Sequence, residues 1–388
     1  MTESRLGLIR LRSGIRSRAL EGHPWILSHE TAKAPAKERS GQAVVGRGPR
    51  GELLGTGFYR EGARVIWRRF RPDIGDFDVT HVQRAIQKAI SRRKNQPSRR
   101  LVWSESDGLP GLILDQYGTH LVAQLVTEGM EKHWTMVSEV IQEVIRPEGI
   151  WVRRDAPGRK QEGLDSLPGY IMGDLPEEPI WVEIARLEVP VDLRGGQKTG
   201  TYLDQQENYE LIASHARGRR VLDLFCHNGG FSLRAARGEA TDITGVDSSQ
   251  SSLALGRRAA ERHHLKVKWV EEDVSRFLRS ARKGEYGLVV LDPPGMVKGR
   301  EAMEAGLRAM GELHRQALRV LQPGGLMATF SCSHRVGRSE LLEMVRRVAY
   351  EEKRGLRRLG LLGQASDHPI DLFFPESEYL TGLLLEVE

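Results

Sequence analysis

Residues 221–231, with the sequence VLDLFCHNGGF, decide the fold class of this 388-residue chain. A short apolar run leads to the carboxylate of Asp223, and turn residues, two glycines and a helical pattern over 231–237 follow. A strand, a tight turn and a helix start in this order form the cradle of a nucleotide-like cofactor. The glycines allow the backbone to approach a ligand closely. Because the pattern is not Gly-x-Gly-x-x-Gly, a dinucleotide is disfavoured, and a ligand-free strand–turn–helix unit is the alternative.

Four further apolar runs follow, and each leads to a chemically useful residue. They end at Asp247, Asp273, Asp292 and Cys332. Five strands separated by helical patterns predict a doubly wound parallel sheet, whose ligands bind at the carboxyl ends of the strands. Asp247 follows the glycine turn by about 20 residues, which is where an acidic side chain binds the ribose hydroxyls of a nucleoside.

Length and composition exclude several classes of protein. A chain of 388 residues predicts two or three domains, and 39% hydrophobic and 28% charged residues are ordinary for a soluble protein. No apolar run approaches the roughly 18 residues of a membrane helix, and no signal-peptide pattern opens the sequence. Two cysteines and dispersed histidines favour neither disulfides nor a metal site. We therefore predict a cytoplasmic protein without membrane association or bound metal.

Positive charge is concentrated at the start of the chain. Residues 1–100 contain 22 Lys and Arg against 9 Asp and Glu, a net charge of +13, so the remaining 288 residues carry −7. A basic segment attached to an acidic body indicates binding of a polyanion such as nucleic acid. The alternative is an arginine-rich surface that is simply solvated.

The N-terminal half divides into two smaller patterns. Residues 5–75 alternate apolar and polar in short runs broken by glycine, which predicts a small β barrel. A helix over 77–96 follows, and its basic end either binds phosphate or complements the helix dipole. Residues 101–195 predict a smaller α/β unit with a hairpin, a helix and a further strand. The candidate RNA-binding residues in this half are Arg47, Arg50, Arg92, Arg93 and Lys94.

The order of these motifs resembles the class I methyltransferases that use S-adenosylmethionine. Flanking segments extend the resemblance to the RlmI family of large-subunit (23S) ribosomal RNA cytosine-C5 methyltransferases. They are Gly22-His23-Pro24-Trp25-Ile26, residues 105–111, residues 196–205, Phe330-Ser331-Cys332-Ser333 and Ala365-Ser366-Asp367-His368-Pro369.

The resemblance implies an α/β protein of three domains. These are a PUA-like RNA-binding β barrel over 1–75, a linker helix and central EEHEE-like α/β domain over 76–195, and a doubly wound, Rossmann-like methyltransferase domain over 196–388. It implies S-adenosylmethionine as cofactor, and it suggests a homodimer as the assembly. The partner that it implies is ribosomal RNA, naked or in a large-subunit particle.

The resemblance also implies cofactor contacts from the glycine turn, from the strand ends and from residues 196–205, although on chemistry alone this last segment is only a polar loop. The predicted cofactor-binding residues are Lys198, Thr199, Tyr202, Asp223, Phe225, Asn228, Gly229, Gly230, Asp247, Ser248, Asp273, Asp292 and Pro293.

Cys332 and Asp292 are the predicted catalytic residues. Cytosine C5 is a poor nucleophile until a thiolate adds to C6, and the reaction also needs a group that binds the N3 side of the ring. Cys332 is the candidate thiolate and Asp292 the candidate ring-binding group, while a buried structural cysteine is the alternative. Gly295 stands where enzymes that methylate exocyclic base nitrogens have a stacking aromatic residue, which disfavours those targets.

Several roles stay open in the sequence. The Asp-Pro-Pro loop contains no second cysteine, so the base that removes the C5 proton is not identified. Lys298 and Arg300 either bind phosphate or are solvated, and His368 either acts near the site or shapes a turn. Methylation of another RNA base such as guanine, with Cys332 dispensable, is one alternative function. A non-catalytic ribosomal RNA-binding assembly factor is another, and a dehydrogenase is disfavoured by the glycine pattern.

Overall fold

The computed structural model describes residues 3–297, 301, 303–333 and 335–388, so the predictions for Lys298 and Arg300 lie outside it. The chain forms two compact units. Unit 1 comprises Met1–Ile180, Asp192–Thr201 and Asp367–Ser377, and unit 2 comprises Trp181–Val191, Tyr202–Ser366 and Glu378–Glu388. The domain limits predicted at 75/76 and 195/196 stay a prediction.

The N-terminal part of unit 1 is a six-stranded sheet with its own core. Its elements are α1 Glu3–Leu6, β1 Leu8–Leu11, β2 Trp25–Leu27, β3 Thr31–Lys33, β4 Ala43–Arg47, β5 Leu53–Tyr59 and β6 Val65–Arg71. The strand order is β2-β6-β5-β4-β1-β3, antiparallel except between β1 and β4. Trp67 fills the interior, and its indole N–H donates to the Val44 carbonyl at 2.9 Å. A buried tryptophan usually finds such an acceptor. The sheet with its own interior confirms the predicted barrel.

The rest of unit 1 is a five-stranded sheet with two main helices. Its elements are α2 Val79–Ser91, β7 Ser98–Trp103, β8 Leu112–Tyr117, β9 His120–Leu125, α3 Glu128–Ile145, β10 Gly149–Arg154, α4 Pro157–Gln161 and β11 Leu167–Gly173. The order is β11-β10-β9-β8-β7, and only β9 and β10 pair in parallel. Helix α2 is shorter than the predicted 77–96, because Asp78 caps it by accepting the His81 N–H at 2.8 Å and it ends at Ser91.

Unit 2 is built on a seven-stranded sheet. Its elements are β12 Ile180–Ile184, β13 Leu187–Val191, α5 Gln206–Ser214, β14 Arg220–Leu224, α6 Gly230–Arg237, β15 Asp242–Asp247, α7 Gln250–Arg262, β16 Lys268–Glu271, α8 Val274–Ser280, β17 Tyr286–Leu291, α9 Met303–Val320, β18 Leu321–Ser331, α10 Arg338–Glu351, β19 Leu356–Gly363 and β20 Thr381–Val387. The order is β16-β15-β14-β17-β18-β20-β19. The five predicted strands pair in parallel, and β20 and β19, which were not predicted, extend the sheet antiparallel.

Both faces of this sheet are covered by helices. Leu222 and Val289 point into a core with residues of α8, α9 and α10. Their neighbours Val221 and Leu288 point into a second core with residues of α5 and α6. Adjacent residues of a strand face opposite sides, so near-continuous apolar strands are the expected pattern for a sheet buried on both faces. The doubly wound fold is therefore confirmed.

Neither a membrane-spanning helix nor a cluster of metal-binding side chains is found among the described residues. The longest, α3 and α9, have 18 residues each and carry charged side chains. Across the described residues, no helix is long and apolar enough to span a membrane. The same residues contain no group of three or more His, Cys, Asp or Glu side chains arranged to hold a metal ion.

Candidate active site

The turn between β14 and α6 has an unusual backbone. Phe225, His227 and Gly229 all have left-handed φ angles, of 61°, 51° and 79°. A residue other than glycine in this region costs about 1–3 kcal/mol, and such strain concentrates at ligand sites. The predicted turn is confirmed, and the helix that follows begins at Gly230, one residue before the predicted start at 231.

The two glycines of the turn serve protein packing directly. A Cβ on Gly229 would lie 2.2 Å from the Trp269 ring, and one on Gly230 would lie 2.4 Å from the Tyr209 ring. Both are far closer than carbon atoms can approach. In the structure these glycines make room for two aromatic rings that hold the turn in place, and their predicted contact with a cofactor stays a prediction.

Asp223 is a buried carboxylate with one unsatisfied oxygen. Its Oδ2 accepts hydrogen bonds from the Ser232 backbone N–H at 2.9 Å and the Ser232 hydroxyl at 2.7 Å. Its Oδ1 has no partner among the described residues, although Asp223 is only 1% exposed. Burial, reinforced by the charges of Asp292 and Asp247, raises the pKa of Asp223 to about 7. Such a site favours a ligand with a positive charge.

Asp247 is the last residue of β15, and it closes the turn from the other side. Its Oδ2 accepts the His227 backbone N–H at 2.9 Å, and its Oδ1 accepts the Ser249 N–H at 2.8 Å. The carboxylate is thus held in one orientation beside the turn. Ser248, next to it, is exposed.

Asp273 and Asn228 occupy different environments. Asp273 is exposed and caps α8, where its Oδ1 accepts the Arg276 N–H at 2.9 Å. Asn228 is buried within the turn. A cofactor role for either residue stays a prediction.

Cys332 and the Asp292 loop lie side by side. The strands that precede them, β17 and β18, are parallel neighbours with Leu291 opposite Thr329. The half-buried Cys332 sulfur lies 3.8 Å from the Pro293 carbonyl oxygen, to which its thiol donates. The parallel pairing of the two strands therefore places the cysteine next to the Asp-Pro-Pro loop.

A group of residues that sequence reasoning missed surrounds Asp292. The Gln205 side-chain amide donates to Asp292 Oδ2 at 2.9 Å, and Asn208 contacts Gln205. Tyr202, which was predicted, packs edge-on against His227 with ring centroids 5.1 Å apart. Burial and the nearby Asp292 charge raise the pKa of Tyr202, so its hydroxyl stays protonated at neutral pH. The one signal for this group in the sequence is that Gln205 follows Tyr202 by three positions in the segment 196–205.

Lys198 and Thr199 belong to unit 1, and their loop is fixed within it. The Thr199 hydroxyl donates to Asp115 Oδ2 at 2.5 Å and lies 3.0 Å from the Tyr117 hydroxyl. The Lys198 carbonyl accepts from Gln124 at 3.0 Å, and Lys198 has a left-handed φ of 53°. These contacts order the loop; cofactor binding by either residue stays a prediction.

The predicted RNA-binding residues divide into exposed and buried side chains. Arg50, Arg92 and Lys94 are exposed. Arg47 is partly buried and donates to the Gly51 carbonyl at 2.9 Å.

The prediction for Arg93 requires correction. Its side chain is 1% exposed and pairs with both oxygens of Asp107, at 2.6 and 3.2 Å. It also donates to the carbonyls of Ala89 and Asp367. A guanidinium enclosed in this way cannot reach a phosphate, and its role is to join α2 to the neighbouring segments of unit 1.

The residues at the strand ends of unit 2 fit S-adenosylmethionine, which carries a sulfonium and an ammonium group. The unsatisfied Asp223 Oδ1 can accept a hydrogen bond, and a cation beside it would relieve the repulsion among Asp223, Asp247 and Asp292. Asp247 at the end of β15 has the position of a ribose ligand. These carboxylates therefore suit a cationic nucleoside.

Comparison with known proteins agrees with this site. Residues 162–359 match a family described as S-adenosylmethionine-dependent methyltransferase, and residues 9–72 match a PUA-like domain. "Ribosomal RNA large subunit methyltransferase I" of Aeromonas hydrophila is 33% identical over 97% of this chain and 98% of its own. The protein of the same name from Klebsiella pneumoniae is 31% identical over the full length of both chains.

Solved structures share the fold. A Streptococcus mutans protein provisionally named a SAM-dependent methyltransferase superposes with a TM-score of 0.82 at 20% identity, covering 98% of this chain and 100% of its own. A provisionally named methyltransferase, SMU.776, solved in complex with SAH, has the same TM-score and identity. The family match, the full-length relatives and the fitting site together show that this chain belongs to the PUA-containing S-adenosylmethionine-dependent methyltransferases of the ribosomal RNA large subunit methyltransferase I family, with S-adenosylmethionine as its cofactor.

Proposed function

We propose that this protein forms 5-methylcytosine in large-subunit ribosomal RNA through a covalent bond between Cys332 and cytosine C6. The observation that carries the proposal is the placement of a half-buried thiol beside the Asp-Pro-Pro loop, with its sulfur 3.8 Å from the Pro293 carbonyl. An inert structural cysteine is usually enclosed by apolar side chains. Cys332 packs against the core of α5 and α6, but it is only half-buried and lies just past the end of its strand, where ligands bind in this fold.

In the proposed reaction, the Cys332 thiolate adds to C6 and makes C5 electron-rich. Asp292 binds the N3 side of the ring, where it accepts a hydrogen bond from the adjoining N4 amino group, and this favours cytosine because a carboxylate accepts from the cytosine amino group. S-adenosylmethionine, when bound, supplies the electrophilic methyl group. After methylation, a base takes the C5 proton, and the electrons of the C5–H bond form the C5–C6 double bond as the C6–S bond breaks and returns the thiolate.

Ribosomal RNA is the proposed substrate for three reasons. The full-length relatives carry ribosomal RNA large subunit methyltransferase names. The chain also has a PUA-like domain, and its first 100 residues carry a net charge of +13. A basic small barrel suits recognition of structured RNA through its shape and backbone.

The test is to trap the proposed adduct. The protein and a Cys332→Ala variant are each incubated with S-adenosylmethionine and ribosomal RNA that contains 5-fluorocytidine, as naked RNA and as large-subunit particles. Fluorine at C5 cannot leave as a proton does, so the thiol adduct should persist in the parent protein and be absent from the variant. Mapping the adduct names the nucleotide, and comparing naked RNA with particles names the substrate form.

Other outcomes select other functions. Methyl transfer without an adduct, equal in both proteins, would exclude the C5 mechanism and favour methylation of another base. Neither an adduct nor methyl transfer, on free RNA and on particles, would favour a ribosomal RNA-binding assembly factor.

A further inference from the structure

Gln205 is a buried amide that contacts the proposed ring-binding carboxylate. It lies just before α5 and is only 2% exposed. Its Nε2 donates to Asp292 Oδ2 at 2.9 Å. Gln205 is therefore placed to control the orientation of Asp292 without adding a charge to the site.

The orientation of the Gln205 amide follows from its own neighbours. Asn208, 5% exposed, places Nδ2 2.8 Å from the Gly363 carbonyl oxygen. A carbonyl oxygen can only accept, so the Asn208 atom facing it is the NH2 group. The second hydrogen of that group points to Gln205 at 2.6 Å, so the Gln205 atom there is Oε1. Nε2 must then face Asp292, and the carboxylate receives a donor.

We propose that Gln205, oriented by Asn208, is the positioning residue for Asp292 in methyl transfer. The inference rests on the proposed function, since it assumes that Asp292 binds the base. A donated hydrogen bond favours the ionised carboxylate and holds one of its oxygens. The Asp292 carboxylate is then presented to the base in one geometry, which is the condition for efficient catalysis. Gly363 ends β19, so the chain of contacts Gly363–Asn208–Gln205–Asp292 links the strand end to the site.

The neighbourhood of Asp292 makes this hydrogen bond consequential. Besides the neutral amide, the titratable groups among the described residues that interact with the Asp292 charge include Asp223, Tyr202 and Tyr209. Because one of them is a carboxylate, a further negative charge in place of Gln205 would force two groups to share a proton.

The test replaces Gln205 by an isosteric acid. Gln205→Glu puts a carboxylate against Asp292, and the acid limb of the kcat/KM profile for RNA should move up by about one pH unit or more. At neutral pH kcat should fall about tenfold or more, while the affinity for S-adenosylmethionine, measured by calorimetry, changes less than threefold. Gln205→Met removes the donor at similar volume, and it should lower kcat without comparable loss of cofactor binding.

Gln206→Glu is the matched control. Gln206 is the next residue, is 6% exposed, and its side-chain oxygen accepts the Ala185 backbone N–H at 3.4 Å. The Gln206→Glu variant reproduces the penalty of burying a carboxylate in this turn. The pH profile of its kcat/KM should match that of the parent protein. Equal profile shifts in both Glu variants, or unchanged kcat and pH profile in both Gln205 variants, would overturn the proposal.

A second readout separates this proposal from the proposed function. The rate of adduct formation with 5-fluorocytidine RNA should be lower than that of the parent protein in both Gln205 variants, while their melting temperatures equal the parent value. If Gln205→Glu does not fold, the comparison is made with Gln205→Met alone. If the parent protein forms no adduct and Cys332→Ala keeps its activity, the proposed function fails. If the adduct forms at the parent rate in the folded Gln205 variants, only the positioning role fails.

Discussion

The Cys332 sulfur and the Pro293 carbonyl oxygen lie 3.8 Å apart, although the two residues are 39 positions apart in the chain. The parallel pairing of β17 and β18 brings them together, because each follows its strand by one or two residues. The thiol donates to this carbonyl at rest, so release of its hydrogen bond accompanies formation of the thiolate. The geometry leads to a direct prediction for the cysteine.

Replacing Cys332 by Ala should lower methyl transfer by about a thousandfold or more, because the C6 addition loses its nucleophile. The free energy of unfolding should change by about 1 kcal/mol or less, since the side chain is half-buried and contributes one weak hydrogen bond. Transfer of labelled methyl groups and urea unfolding measure the two effects. Cys226→Ala, which removes the other cysteine, should still form the 5-fluorocytidine adduct. Full activity in Cys332→Ala would contradict the assignment.

Cofactor affinity should depend on pH through Asp223. Burial raises the pKa of this carboxyl to about 7, so it is ionised above that pH and protonated below it. An ionised Asp223 attracts the positive charges of S-adenosylmethionine, and affinity should therefore weaken as the pH falls from 8 to 6. Asp223→Asn should bind more weakly and without this pH dependence, by calorimetry at both pH values. Asp242→Asn, at an exposed position of β15, is the control and should keep the pH dependence of cofactor affinity. An affinity that does not change with pH in the parent protein would refute the assignment.

Gly229 should tolerate no side chain. In Gly229→Ala the new Cβ would meet the Trp269 ring at 2.2 Å in a left-handed conformation, and we expect a loss of about 3 kcal/mol or more together with weaker cofactor binding. Gly218→Ala is matched in φ, at 71°, but has open space around the new Cβ, so it should cost only about 1 kcal/mol. Urea unfolding compares the two. Equal losses would show that the ring contact contributes little.

The exposed basic residues should act on RNA affinity, and buried Arg93 should act on stability. Arg50→Ala and Arg92→Ala should each weaken RNA binding severalfold, because each removes a predicted phosphate contact. Each should also lower the slope of log affinity against log salt concentration by about one. Arg93→Ala leaves Asp107 buried without its partner and should cost about 3–5 kcal/mol of stability. Fluorescence anisotropy over a salt series and thermal melting separate the two effects. Unchanged RNA binding in the double variant Arg50→Ala/Arg92→Ala would exclude these residues from the interface.

His314 should make the fold sensitive to acid. It is fully buried in α9, between the Met310 carbonyl oxygen at 2.7 Å and the Thr329 hydroxyl at 2.8 Å, and burial lowers its pKa to about 4. The unfolded chain takes up this proton near pH 6.5, so stability from this group is lost as the pH falls from 6.5 to 4, by about 3 kcal/mol. Urea unfolding at several pH values measures the loss. His314→Gln should flatten this pH window, and an unchanged slope would assign the acid sensitivity elsewhere.

Local chemistry accounts for much of what could be predicted. The apolar runs that end at Asp247, Asp292 and Cys332 predict buried parallel strands, because only a sheet covered on both faces has near-continuous apolar strands. The two antiparallel strands β19 and β20 were missed. They pair across an intervening segment of 17 residues (364–380), and nothing within either segment specifies that pairing.

The sequence alone determined the class of fold, the strand ends of the candidate site, and the cysteine and carboxylates that the proposed chemistry uses, since these follow from short-range patterns of burial and turn formation. Only the tertiary structure decided which polar groups are free to react. Arg93 reads as a surface cation and is enclosed by Asp107, while Gln205 reads as a loop residue and contacts Asp292, 87 positions away. Hydrogen-bond partners distant in sequence are set by packing, and a buried polar group must find one wherever the fold brings it.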